Sequence, residues 1–248
     1  MAGTAIRGRL TWQVASVESV RQETASVRTI ELQLPDWAGH RAGQHVDVRL
    51  TAEDGYSAER SYSIASAPGE PVAITVERLD DGEVSPYLTD ELQVGDEIEV
   101  RGPIGGYFVW DSHDMPSQLL LVAGGSGIVP FRSILRHRER SGSMVAVRLL
   151  YSARSLPDVI YRAELDQHQS GVSVNYTLTR EQPPGWHGYA RRVDEALLAE
   201  VAWPARAEAL AFACGPTPFV ETVAAGLVAL GYRPGLVKTE RFGATGGS

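Results

Sequence analysis

Near residue 114 the hydrophobic pattern of this chain changes period, and that change limits what the chain can fold into. Before it, short segments alternate apolar and polar residues: Val46-Asp47-Val48-Arg49-Leu50, Val72-Ala73-Ile74-Thr75-Val76-Glu77 and Glu97-Ile98-Glu99-Val100. Gly39, Pro68-Gly69, Asp81-Gly82 and Gly95 punctuate them. A period of two with turn residues at this spacing predicts an antiparallel barrel or sandwich. After residues 111–116 comes Leu119-Leu120-Leu121-Val122-Ala123, a continuous apolar run expected of a strand buried on both faces. An amphipathic segment at 131–139 follows. Strand and helix patterns then alternate over 145–151, 161–168, 172–178, 193–201, 209–213 and 218–230, with a last strand at 235–240. That alternation predicts a parallel sheet with right-handed crossovers. The expected architecture is β + α/β: an antiparallel β domain over residues 1–113, then a Rossmann-like α/β domain over residues 114–248.

Composition excludes several function classes. The net charge of −8 argues against a general nucleic-acid binder. A single cysteine, Cys214, excludes an internal disulfide, a four-cysteine iron–sulfur cluster in this chain and a cysteine-based zinc site. No stretch resembles a signal peptide, and none approaches the ~20 apolar residues that span a bilayer. The expectation is a cytoplasmic protein without membrane or metal. His40 and His45 flank Ala42-Gly43 without the spacing of a metal site. Arg132, Arg136, Arg138 and Arg140 crowd one segment and read as a solvated helix face.

Two glycine turns carry nucleotide chemistry. Ala123-Gly124-Gly125-Ser126-Gly127-Ile128-Val129-Pro130 joins an apolar strand to a helix. Glycines let backbone approach a diphosphate, and the helix start offers free N–H groups. The segment is neither a Walker loop nor the usual Gly-x-Gly-x-x-Gly fingerprint, and Ile128 breaks the hydrolase pattern around Ser126. Ala213-Cys214-Gly215-Pro216 ends another predicted strand in the same way. Earlier in the chain, Arg60-Ser61-Tyr62-Ser63 places a guanidinium beside a flat ring. In a strand, Arg60 and Tyr62 share one face, with Ser61 and Ser63 on the other. A cation for a diphosphate next to a stacking ring suits a flavin nucleotide.

With Gly82-Glu83-Val84-Ser85-Pro86-Tyr87-Leu88 and Gly102-Pro103-Ile104-Gly105-Gly106, these motifs stand in a fixed order. In that order they resemble the ferredoxin–NADP⁺ reductase family over roughly residues 10 to 243. The resemblance implies that the barrel binds FAD and the α/β domain NADPH or NADH. It implies Arg60 on the flavin diphosphate with Ser61 beside it, Tyr62 stacked on the isoalloxazine, and Ser63 at N5. Backbone around Thr75, Val76 and Glu77 would contact the flavin, while Gly82, Val84 and Ser85 would hold its diphosphate. Gly124, Gly125, Ser126, Gly127 and Pro130 would cradle the pyridine nucleotide. Cys214, Gly215 and Pro216 would lie near the nicotinamide. Phe242 is the candidate cover for the other flavin face, although residues 243–248 follow it where some members end on the aromatic. A last-strand phenylalanine packing into the core is the alternative. FAD rather than FMN is implied by the family alone, since no aromatic stands out as a partner for adenine.

Thr179-Arg180 at a strand end and Tyr189 beyond it resemble the surroundings of the NADPH 2′-phosphate, and Arg154 is a second cation. This favours NADPH, although relatives using NADH also show Thr-Arg there. For Arg180 the alternative is a surface salt bridge with Glu181 or Asp194. The implied reaction is hydride transfer from the nicotinamide to the flavin, with Ser63, Cys214 and Phe242 as catalytic residues. Electrons would then pass to a separate ferredoxin, flavodoxin, haem protein or partner redox enzyme, from a chain acting as a monomer. The alternative is an electron-transfer subunit docked in a larger complex, such as the reductase component of an oxygenase.

Overall fold

Six strands form the first half: β1 (Gln13–Thr24), β2 (Val27–Gln33), β3 (His45–Thr51), β4 (Ser57–Ser63), β5 (Val72–Glu77) and β6 (Glu97–Ile104). The computed structural model describes residues 10–113, 118–167, 170–205 and 209–242. All pairings among these strands are antiparallel, in the order β4-β3-β6-β1-β2-β5. The ends of the sheet meet at a bridge between Ile64 and Ile74. A helical turn, Tyr87–Glu91, buries Leu88 and Thr89 beside that seam. Val46, Val48, Ile74, Val76, Ile98 and Val100 fill the interior. Each comes from an alternating segment, as a sheet with one buried face requires. The hydrophobic pattern did not announce β1: only Ala15 and Val17 of its twelve residues are buried, and its register with β2 shifts twice.

The second half alternates β7 (Gln118–Gly124), α1 (Val129–Arg140), β8 (Ala146–Ala153), α2 (Arg162–Leu165), β9 (Val172–Leu178), α3 (Glu195–Val201), β10 (Leu210–Pro216), α4 (Thr217–Ala229) and β11 (Val237–Phe242). All pairs are parallel, in the order β11-β10-β7-β8-β9. From β7 the chain builds outward to β8 and β9, then returns to place β10 on the other side of β7. The gap beyond the ends of β7 and β10 is therefore the topological switch point, where open α/β sheets bind ligands.

The halves share a core. Phe108 and Trp110 of the connecting segment, with Ala65 and Ala73, are buried among Leu121, Phe131, Ile134 and Tyr151 of the second half. Here the arginine-rich helix departs from expectation. It is not a solvated face: Arg132 is 8% exposed and Arg138 is also buried. Arg132 donates to Ala65 O at 3.3 Å and to Glu164 at 2.8 Å, and Ser133 Oγ donates to Ser66 O at 2.6 Å. Arg136 pairs with Glu70 at 2.6 Å and Glu164 at 3.3 Å. Arg138 donates to Val145 O and Ser170 O. Desolvated guanidiniums are costly unless they are paired and hydrogen-bonded, and these are. Only Arg140 is exposed, and even it lies 3.5 Å from Glu70. Charge crowding on a short helix cannot reveal that a second domain will cover it. Tyr161, with φ of 59°, spans the same interface, its hydroxyl on Thr75 and its ring under Arg132.

Candidate functional site

Strand register assembles the flavin-domain residues. Arg60 lies opposite Val48 and Tyr62 opposite Val46, both buried, so the two side chains share that face. β4 and β5 are the two ends of the sheet order, and just beyond β4 the Ala65 N–H donates to Ala73 O of β5 at 2.7 Å. Tyr62 packs against the barrel interior, and burial pushes its hydroxyl well above the usual range. Ser61 opposes Asp47 on the other face and donates to its Oδ1 at 2.7 Å. The Ser61 side chain therefore does not join Arg60 and Tyr62. Inside a strand neighbouring side chains face opposite ways, and Ser61 lies inside β4 whereas Ser63 is its last residue.

The turn after β5 is tight. A Cβ on Gly82 would lie 2.7 Å from Ser85 Oγ and 3.1 Å from Leu79 O, so a side chain there would crowd the turn. Ser85 Oγ accepts the Leu79 N–H, which leaves its own hydrogen to donate. Val84 is buried. Glu83, on the same turn, reaches Arg60 Nη2 at 2.6 Å. Thr75 Oγ1 is engaged with Thr29 Oγ1 at 2.8 Å and with Tyr161, and Val76 is buried in the barrel, so only their backbone faces outward. The Glu77 carboxylate points across to the glycine turn of the second domain, 3.8 Å from where a Cβ on Gly125 would sit.

That turn is built by close approach. Gly125 has φ of +56°, and a Cβ on Gly127 would lie 2.1 Å from Cys214 O and 2.8 Å from Gly215 N. The ends of β7 and β10 are thus pressed together at the switch point. A 3-10 turn over Gly125–Ile128 leads into α1, which begins at Val129 with Pro130 in its first turn and no acidic residue there. At the next strand ends, Arg180 N donates to Arg154 O at 2.9 Å, and both arginines are exposed. Thr179 Oγ1 donates to Ala153 O, and Tyr189 runs alongside Thr177. Asp194 caps α3 by accepting the Leu197 N–H.

Where the halves meet, Ser63 pairs in register with His45, and Cys214 with Glu240. His45 Nδ1 lies 3.8 Å from Glu240 Oε1, which joins the two pairs across the domain boundary. Phe242, two residues beyond Glu240, aligns with Pro216 and packs against the shared core, and residues 243–248 lie outside the described ones. The Cys214 thiol is pushed up by burial and by the charge of Glu240. Burial raises Glu240 to about 7 and lowers His45. Glu240 Oε2 is buried and has no hydrogen-bond partner among the described residues. Neither Glu240 nor His45 was read as a site residue. The available signal was an acidic residue in phase with Phe242 on a strand.

Tyr62 and Arg60 share one face of β4, and two glycine turns meet at the switch point of the second sheet. The donor set fits a flavin dinucleotide on one side and a pyridine nucleotide on the other, which defines a nucleotide-dependent flavoprotein oxidoreductase. The family model described as the oxidoreductase FAD-binding domain matches residues 14–109, and the one described as the oxidoreductase NAD-binding domain matches residues 121–225. The chain is 34% identical over 235 residues to the glycine betaine monooxygenase reductase subunit of Chromohalobacter salexigens, covering 91% of this chain and 63% of that protein. It is 33% identical to the NADH oxidoreductase HCR of Escherichia coli, covering 89% of this chain and 65% of that one. The chain thus spans under two thirds of the length of these relatives. The FAD/NAD-binding domain of nitric oxide dioxygenase from Vibrio cholerae superposes with a TM-score of 0.82 at 26% identity, covering 93% and 98% of the two chains. The chain belongs to the ferredoxin–NADP⁺ reductase-like family of FAD- and NAD-binding oxidoreductases. No helix among the described residues is long and apolar enough to cross a membrane.

Proposed function

We propose that the protein oxidises NADPH or NADH and passes the electrons through FAD to a separate redox protein, as the reductase component of an oxygenase system or a similar pair. The observation that carries this reading is the convergence of Ser63, His45, Cys214 and Glu240 from both halves at one point. The flavin half is residues 1–113 and the nucleotide half residues 114–248. When bound, the flavin supplies the chemistry: it takes a hydride and releases electrons one at a time. The chain supplies position. Tyr62 flanks the flavin ring, Arg60 and the 82–85 turn hold its diphosphate, and the turns at 124–130 and 214–216 hold the donor. Ser63 is aimed at the ring, and Glu240 can hold or release a proton near neutral pH beside it. Both halves come from one chain, so a monomer suffices, in the cytoplasm where the nucleotide is abundant.

Anaerobic titration of the purified protein tests this. Oxidised flavin absorbs near ~450 nm, a property of the cofactor itself. NADPH or NADH should bleach that band within the dead time of hand mixing. A yellow protein that neither nucleotide bleaches would be a passive binder and would sink the proposal. Ser63→Ala should slow the bleaching more than it weakens nucleotide binding, read as the rate at saturation against the half-saturating concentration.

A further inference from the structure

We propose that Tyr161 is a positioning residue for hydride transfer: through Thr75 it pins the nucleotide half against the strand whose backbone would contact the flavin, and so sets the spacing of the two rings. The inference rests on the reductase function proposed for this site and concerns a residue to which no motif pointed.

Among the described residues, Tyr161 is the one other than glycine with a positive φ. L-residues avoid that region because Cβ crowds the backbone. Such a conformation persists only where its surroundings fix it. Here they do. The Tyr161 carbonyl accepts the N–H groups of Glu164 and Leu165, both at 2.9 Å, which closes the single turn of α2. Ile160, the residue before, donates its N–H to the hydroxyl of the buried Tyr151 at 3.2 Å. The Tyr161 ring is buried, with Arg132 Cζ 4.8 Å from its centroid. Its hydroxyl crosses to the first half and donates to Thr75 Oγ1. From there the bonds run in one direction. Thr29 Oγ1 donates to Glu23 Oε1 at 2.6 Å, so in the 2.8 Å contact between Thr29 and Thr75 the proton comes from Thr75. With its own hydrogen committed, Thr75 can only accept from Tyr161. Glu23 is held in turn by Arg21 at 2.7 Å. Three hydroxyls thus stand in series from the start of α2, through β5 and β2, to a carboxylate on β1.

The point where this pin enters β5 gives it leverage. Thr75 lies two residues before Glu77, which reaches toward Gly125 in the glycine turn of the second half. It lies one residue after Ile74, which bridges to Ile64 beside Ser63. β5 therefore runs from the seam next to Ser63 to the nucleotide turn, and Tyr161 grips it midway from the other half. The turn that Tyr161 opens also supplies Glu164, which accepts Arg132 Nε at 2.8 Å and lies 3.3 Å from Arg136. Both arginines belong to α1, the helix that follows the glycine turn. One turn of chain thus ties the helix behind the nucleotide to the strand beside the flavin. A buried hydroxyl left without its partner is costly, whereas an exposed ion pair is worth little, so this bond resists sliding of the halves. A misplacement of about 1 Å from a residue far from the chemistry can cost about a hundredfold in rate. Tyr161 acts through Thr75 and not on the reacting atoms.

Tyr161→Phe tests this, since it keeps the ring under Arg132 and removes only the hydroxyl. The protein is loaded with FAD and mixed anaerobically with NADPH or NADH in a stopped-flow instrument. The rate of flavin bleaching at saturating nucleotide should fall about tenfold, while the half-saturating concentration and the FAD affinity stay within about threefold. The slowed step should show an isotope effect with nucleotide deuterated at the carbon that gives up the hydride. A second readout needs no flavin. In denaturant melts of the flavin-free protein, Tyr161→Phe alone should destabilise, yet cost nothing further when added to Thr75→Val, which has already lost the bond. An unchanged bleaching rate in Tyr161→Phe overturns the proposal, as does slowing without an isotope effect. So does a rate loss matched by an equal loss of flavin or nucleotide affinity, and so do additive losses of stability in the melts. Unsubstituted protein that neither nucleotide bleaches overturns the reductase reading and this role together, whereas a variant as fast as the unsubstituted protein removes this role alone.

Discussion

Glu240 shows how a single residue acquires its chemistry from its surroundings. Burial lifts its carboxyl to about 7, against about 4.5 for an exposed one. An acid whose folded pKa is raised contributes stability that is full below the unfolded value and lost as pH rises through the folded one. The flavin-free protein should therefore melt at a lower temperature at pH 8 than at pH 5, and Glu240→Gln should flatten that slope. Melts at the two pH values check this, and an unchanged slope would show that the carboxyl titrates normally. Arg180 and Arg154 make a separate residue-scale case. Two exposed arginines whose backbones are hydrogen-bonded at strand ends suit a 2′-phosphate. Arg180→Ala should raise KM for NADPH about tenfold and leave KM for NADH nearly unchanged. Equal effects on the two nucleotides would remove Arg180 from that role.

At the scale of elements, the turn from β7 into α1 is the most constrained piece of backbone in the site. The missing side chain of Gly127 is what lets β10 come within contact of it, since a Cβ would sit 2.1 Å from Cys214 O. Both neighbours are backbone, so no rotamer change relieves the clash. Gly127→Ala should destabilise the fold by about 3 kcal/mol or more. Nucleotide affinity should fall further than flavin affinity, because the flavin half lies on other strands. Denaturant melts and the two titrations separate these effects. A Gly127→Ala protein of unchanged stability would mean that the turn is more pliant than its geometry. This turn was legible in the sequence because close approach demands glycine and the strand–turn–helix order is local. Strand β1 was not legible: its partners are β2 and β6, and ladder hydrogen bonds leave no mark on side-chain pattern.

At the scale of the whole molecule, the interface between the halves decides whether the two nucleotides meet. Hydride transfer needs the reacting atoms within about 3–3.5 Å, so small loosening matters. The clamp is Arg132, Arg136 and Ser133 of α1 on Ala65, Ser66 and Glu70. Burial pushes the Glu70 carboxyl up, but hydrogen bonds from Arg136 and the Ala67 N–H outweigh this and hold it below the usual range. Its contribution is thus present above the unfolded pKa and lost as pH falls through the folded one, opposite in sign to Glu240. Glu70→Ala and Arg136→Ala should show a coupling of about 1–2 kcal/mol in a double-mutant cycle of unfolding free energies, more than an exposed pair gives. Either variant should slow flavin reduction at saturating nucleotide while leaving FAD affinity unchanged. Additive stabilities would show that the pair does not join the halves.

By itself the sequence determined the two-domain order, the parallel and antiparallel sheets, and the glycine turns. It also marked out Arg60, Tyr62, Ser63 and Cys214. These follow from hydrophobic period and backbone allowance, which neighbouring residues set between them. Tertiary structure alone decided that an arginine-rich helix is an interface and that Glu240 and His45 join Ser63 and Cys214. It alone linked Tyr56 to Arg60 through Glu83. Each of these depends on strand register or on docking between segments far apart in the chain. His45 and Glu240 lie on different sheets, and the fold that brings them within 3.8 Å also takes that carboxyl from water and raises it to about 7.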